Sequence, residues 1–236
     1  MPMTAAEAVA AVMLVALVVY ALFGGADYGA GMWDLLARGP RAAAQRELIA
    51  QAIGPVWEAN YVWLIIVIVL LFTGFPAAFA AVMTTLHVPL SLMLIGVVLR
   101  GSAFTFRSYD NSEVGRRRWN RVFSISSVVT PILLGAVIGA IATGEPGRAA
   151  AAGGPVPLLA TWLGPFPLAV GLFALNTFAF VAAVYLTLEA PDPALSEDFR
   201  ARALAAAVTL GGLAWVVYHL SRTEAPLVSH GLAASP

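Results

Sequence analysis

The chain has 236 residues, 60% of them hydrophobic and 11% charged, with no net charge and a mean hydropathy of +0.85. This composition excludes an ordinary soluble domain and describes a polytopic helical membrane protein. Zero net charge speaks against nucleic acid as a partner, and the absence of cysteine excludes disulfides and thiolate metal sites.

Six apolar segments follow one another, at about 8–36, 55–73, 76–99, 120–143, 158–188 and 203–220. Each supplies the roughly 20 residues that a spanning helix needs. In lipid only a helix satisfies its own backbone within one segment, so the expected fold is all-α with six transmembrane helices. No basic residue precedes the first segment, and the segment runs on too far for a cleavable signal peptide. Residues 1–143 read as a four-helix transmembrane bundle. The Gly-, Ala- and Pro-rich stretch 144–157 reads as an extracytoplasmic linker with no structure of its own, and residues 158–236 read as a two-helix transmembrane hairpin. "TGFP" at 73–76 reads as a tight hairpin between the second and third segments.

Orientation follows from arginine, the only basic residue besides histidine. Arg38, Arg41 and Arg46 follow the first segment. Arg100, Arg107, Arg116, Arg117, Arg118 and Arg121 follow the third, whereas the opposite loops hold only Arg148. The arginine-rich loops are therefore expected in the cytoplasm and the N-terminus outside, in a bacterial inner membrane.

Asp27 lies in "GGADYGAGMWDLL", still within the first segment. An ionised carboxylate at that depth is costly and by default marks a pathway, a relay or a buried pair. Gly25, Gly29 and Gly31 present a small face that invites another helix. Two readings stay open for Asp27: a packing face with one acid bonded to a neighbouring helix, or a group that holds a proton. Asp34, seven residues on, reads as a solvated residue at the membrane surface.

The second segment opens with "IGPVWEANYVWLI". With Pro55 in a first helical turn, Glu58 is either a dipole cap or the cytoplasmic end of a proton relay. Trp57, Asn60, Tyr61 and Trp63 lie beside it, and the aromatics also suit an interfacial belt. In "LRGSAFTFRSYD", Arg100 and Arg107 are seven apart and share a helical face at the cytoplasmic end of the third segment. They either snorkel to headgroups or pair with Glu58 or Asp34. His87, in mid-segment, is either a haem ligand or a residue associated with a kink at Pro89. No hydrolytic or nucleotide-binding motif is present.

At these stretches the chain resembles subunit II of the cytochrome bd-type terminal oxidases. The family's patterns are G-x-D-x-G-x-G, P-x-W-(D/E)-x-N-x-V-W-L and an R…F-x-(F/Y)-R motif. They read here as "GADYGAG", "PVWEANYVWL" and "RGSAFTFR", in order within about the first 110 residues. "LFTGFP" resembles the family's second hairpin. The resemblance implies a quinol-oxidising, oxygen-reducing complex in which subunit I carries the haems, haem b and in the usual member haem d. The present chain would ligate no haem and no metal. It would serve as scaffold and as a proton path, with Glu58 the acid of that path and Asp27 the buried acid of the first helix. Trp57, Asn60, Trp63, Arg100 and Arg107 fall on the supporting motif positions. Some members hold a structural quinone in this subunit, and small single-helix subunits accompany others; no clear quinone site is legible here. The departures are Gly24, Val56 and Thr105, where the family often has an acid, a histidine and an acid, and six helices where the family has eight. Another polypeptide or a genuinely shorter build would account for the missing pair. Two other classes compete: a purely structural membrane subunit, and a small proton-coupled transporter, which would show inverted repeats and broken helices.

Overall fold

The computed structural model describes residues 3–153 and 158–234, the side chains of 53–59, 108 and 233–234 apart. Among the described residues the chain forms α1 (Ala5–Leu36), α2 (Ala42–Gly74), α3 (Pro76–Thr85), α4 (His87–Tyr109), α5 (Glu113–Ala142), α6 (Glu145–Ala152), α7 (Pro165–Glu189), α8 (Pro193–Glu224) and α9 (Pro226–Ala234). The fold is all-helical, as the composition requires. Five helices, α1, α4, α5, α7 and α8, are each long and apolar enough to cross a membrane. The apolar part of α2, Asn60–Gly74, forms a further apolar pair with α3, bent by 116° between them.

Three boundaries differ from expectation. The third segment is two helices. Leu86 breaks it with φ −113° and ψ 21°, and α4 starts at His87. Pro89 lacks the N–H that would bond the carbonyl of Thr85, and the break places it in the first turn of α4, where that loss leaves no helical bond unmade. The 73–76 turn therefore leads into a short helix, and the spanning helix that follows is displaced toward the C-terminus, to 87–109. The second segment starts early. Its helix begins at Ala42, because "AAAQRELIAQAIG" is rich in strong helix formers that a hydropathy window passes over. The 144–157 stretch is partly ordered. Gly144, at φ 76°, ends α5 and leads into α6, which has Pro146 in its first turn and Gly153, at φ 63°, at its end. Residues 154–157 lie outside the described residues.

Helices α1, α5 and α7 pack against one another at the centre, α2 lies against α1, α4 against α5 and α8 against α7. Both sides of the 144–157 stretch thus contribute to one core, which joins Ala30, Trp33 and Phe123 to Ala179, Ala182 and Phe199. The first half of α1 exposes Val12, Leu14, Val15 and Val18, as a lipid-facing helix does. From Gly24 to Gly31 the same helix is buried all round. Glycine makes this possible at Gly29, where a Cβ would lie 2.0 Å from the carbonyl oxygen of Phe178 on α7. At Gly31 a Cβ would meet the Ser127 hydroxyl on α5 at 2.2 Å. The small face read from the sequence is therefore a docking face, and its partners are α7 and α5. Trp33 fixes the same crossing by donating its indole N–H to the carbonyl of Ala179 at 2.8 Å.

Candidate functional site

Two spacings meet in the middle of the bundle. Asp27 precedes the end of α1 by nine residues, and Arg100 precedes the end of α4 by nine, so each lies about 14 Å inside the arginine-rich end. Both side chains are fully buried. Arg100 donates Nη1–H to Asp27 Oδ2 at 2.7 Å and Nη2–H to Asp27 Oδ1 at 2.6 Å. A further N–H from Nη2 reaches the main-chain oxygen of Asp27 at 2.9 Å, and Nε–H reaches Ser127 Oγ at 2.8 Å. Ser127 donates its own O–H to the carbonyl of Phe123 at 2.7 Å. The rings of Tyr28 and Phe123 lie 4.6 and 4.7 Å from the guanidinium carbon. A planar donor fork held by a carboxylate, a hydroxyl and two ring faces is the geometry that suits arginine and not lysine.

Arg100 therefore neither snorkels nor pairs with Asp34; its partner is Asp27. The expectation failed because the third segment was placed ten residues early, which put Arg100 at a helix end. Asp34 also differs from expectation. It is 7% exposed, takes the Ser124 hydroxyl at 2.6 Å and lies 3.9 Å from Arg46 Nε. The seven-residue step from Asp27 to Asp34 on α1 matches that from Arg100 to Arg107 on α4, about 10 Å along each helix. Arg107 stands in the field of Asp34 and is stacked over Phe104 and Phe123 at 4.5 and 4.9 Å. Acid and arginine thus face each other in two layers.

Asn60 completes the inner layer. It is fully buried, and its amide lies over Gly24, where a Cβ would come within 3.1 Å of Nδ2. The amide approaches the Asp27 carboxylate without hydrogen-bond geometry to any described residue. The hydroxyl of buried Thr130 is likewise unpartnered among the described residues. Trp63 is half-buried. Trp57 and Glu58 lie outside the described residues as far as their side chains go. The bounds of α2 nevertheless place Glu58 in the interior of a helix, away from a first turn, so a helix-dipole cap no longer accounts for it.

The sequence reading missed Ser124 and Ser127. Two serines three apart on an otherwise apolar helix mark one polar face, and that face meets Asp34 and Arg100. His87 stands at the break before α4, not in mid-membrane. Its ring is exposed, with Nδ1 3.0 Å from the carbonyl of Thr84. Among the described residues no three His, Asp or Glu side chains gather as a metal set.

A family profile described as cytochrome bd terminal oxidase subunit II matches residues 5–234. Cytochrome bd ubiquinol oxidase subunit 2 of Bacillus subtilis (strain 168) is 29% identical over 122 residues, 52% of this chain and 36% of that protein. Cytochrome bd-I ubiquinol oxidase subunit 2 of Escherichia coli (strain K12) is 30% identical over 132 residues, 56% of this chain and 34% of that protein. The aligned stretches span about a third of these relatives' own length. A chain of the solved bd oxidase from Geobacillus thermodenitrificans superposes with a TM-score of 0.77 at 22% identity, over 96% of this chain and 69% of that one, so the fold is shared. The profile match runs through the buried acid, the helix-two motif and the arginines of α4, and the chain belongs to the cytochrome bd terminal oxidase subunit II family.

Proposed function

We propose that the chain is the non-haem subunit of a bd-like respiratory complex that oxidises quinol and reduces O2 to water. In that complex the haems sit in a partner subunit, and this chain supports the partner and delivers protons from the cytoplasm. The observation that carries the reading is the buried Asp27–Arg100 pair with the buried amide of Asn60 beside it. It is a polar vein at mid-depth in an otherwise apolar bundle, and such groups mark ion paths or pinned interfaces. The vein runs toward the arginine-rich end through Asp34, which we place in the cytoplasm, with the N-terminus outside. With no native cysteine, single cysteines at 116–118 and at 147 report orientation directly. The 147 site should label from outside intact cells, and labelling of 116–118 instead would reverse the assignment.

Within this reading the two acids have different tasks. Asp27 is held by two guanidinium N–H groups and acts as a fixed counter-charge, which favours the packing alternative for that residue. Glu58 is the proton carrier, since a helix-interior acid two residues before buried Asn60 is otherwise hard to explain. Substitution of Glu58 by Gln keeps size and hydrogen bonding but removes the titration. Turnover should fall about tenfold or more, as for loss of a general acid–base group, while the visible spectrum of the complex stays normal. Unchanged turnover would favour the purely structural alternative.

A further inference from the structure

The arginine-rich end of the bundle is open. Between the last turns of α1 and α4 and the first turns of α2 and α5 lies a cleft of about 470 Å³, lined by Asp34, Arg46, Glu47, Phe104, Arg107 and Arg116. A second cleft of about 380 Å³ shares Asp34, Arg46 and Asn120 with it and adds Leu35, Arg117 and Arg121. The arginines outnumber the carboxylates, and most are not spent on them. Arg117 is paired with Glu113 at 2.7 Å. Arg46 gives one N–H to the carbonyl of Ala37 at 2.9 Å and reaches Asp34 only at 3.9 Å. Among the described residues Arg107, Arg116 and Arg121 make no ion pair. The chain as a whole is neutral, so this surplus of positive charge is local.

Depth decides what could meet it. Helix α4 has 23 residues, and Arg107 lies third from its end. That puts its Cα about 14 Å past the middle of the helix, close to the edge of a hydrocarbon layer with a half-thickness of about 15 Å. Arg116 and Arg121 follow after the turn, in the first third of α5. At this level the abundant anion is the phosphodiester of a phospholipid. The cleft also offers Leu35 and Phe104, apolar surface beside the charges.

We propose that these two adjoining clefts bind the headgroup of an anionic phospholipid, with Arg46, which lines both, Arg116 of the first and Arg121 of the second as the cations that hold it, and the acyl chains lying against Phe104 and Leu35. Guanidinium forks match phosphate oxygens two at a time, and arginines of α2 and α5 on one headgroup also hold the two helices together. An anionic headgroup with a single negative charge is preferred, since a zwitterion brings its own cation into an already positive cleft. Arg118 stands in the same run but lines neither cleft, and it serves as the internal control.

The test uses the protein purified in mild detergent with the subunits that accompany it, delipidated and titrated in native mass spectrometry. Phosphatidylglycerol, phosphatidylethanolamine and inorganic phosphate are the three probes. Arg116 and Arg121 are exposed residues of the first three turns of α5, so the double variant Arg116→Gln/Arg121→Gln should fold. Its phosphatidylglycerol dissociation constant should rise about twenty-five-fold, at about fivefold per arginine, while Arg118→Gln binds as the parent does. Equal weakening by Arg118→Gln would reduce the effect to general surface charge and overturn the site. So would equal affinity for phosphatidylethanolamine. Binding of inorganic phosphate as tight as that of the lipid would assign the cleft to a soluble anion and overturn the lipid assignment.

Discussion

Replacing Arg100 by Met should destabilise the protein by about 3–5 kcal/mol, because it strands the Asp27 carboxylate in a fully buried site. The loss has two parts. The Asp27 oxygens lose donors at 2.6 and 2.7 Å, and the Ser127 hydroxyl loses its donor at 2.8 Å. The Asn60 amide beside the carboxylate offers only a neutral donor in place of a charged fork, and lipid brings no water to help. Asp27→Asn should also be costly, since the amide oxygen still accepts an N–H but leaves the buried guanidinium without a counter-charge. The double variant Asp27→Asn/Arg100→Met removes both charges and should lose clearly less than the sum of the single variants. A coupling of at least about 1 kcal/mol is expected for residues in direct contact. Thermal unfolding of the four proteins in one detergent, with yield of folded protein as a second readout, measures the cycle. Strictly additive losses would mean that the two side chains do not act as a pair.

Gly29→Val should be the most damaging change of a single residue by size alone. A Cβ there lies 2.0 Å from the carbonyl oxygen of Phe178, 2.4 Å from its carbon and 2.8 Å from the Ala182 methyl. Two of these are backbone atoms, which no rotamer change can move, so α1 and α7 must separate. Overpacking in a tight core costs about 1–3 kcal/mol and more where backbone must shift, and this site belongs at the upper end. Separation would also release the Trp33–Ala179 hydrogen bond. Gly25→Ala, whose nearest neighbour is a Val181 side-chain atom at 3.2 Å, should be mild. Gly211→Ala, with open space around it, should be neutral. The ordering Gly29, Gly25, Gly211 in melting temperature is the expected result. A neutral Gly29→Val would contradict the close crossing of α1 and α7.

Much of this architecture was legible because membrane helices must be both apolar and small where they touch. The run of glycines around Asp27 announced a docking face, and the face docks. What hydropathy cannot show is where one apolar helix stops and another starts. Val82, Leu86 and Leu90 are apolar whether the chain runs straight or breaks, and only the missing N–H of Pro89 hinted at the break before α4. That one error of register moved Arg100 from mid-depth to a surface, and with it hid the pairing to Asp27. The early start of α2 was hidden for the opposite reason, since Gln45, Arg46 and Glu47 are polar yet favour helix. Ser124 and Ser127 carried a signal that was present but weak, because serine is common in apolar helices and becomes meaningful only with a charged partner opposite. Asp34 looked like a surface acid from its place at a helix end. The packing of α5 against α1 buries it.

The proposal that the chain supports an oxygen-reducing complex rests on the buried pair, the Asp34–Arg107 layer beside it and the family relationship. The most direct measurement is oxygen uptake. The chain carrying an affinity tag is purified from its own membranes in mild detergent, a visible spectrum is taken, and oxygen consumption is followed after addition of a reduced quinol. The account predicts haem bands in the purified material and quinol-dependent oxygen consumption, both lost together in the Arg100→Met variant. A tagged chain that folds and purifies without haem, and consumes no oxygen when quinol is supplied, would contradict it.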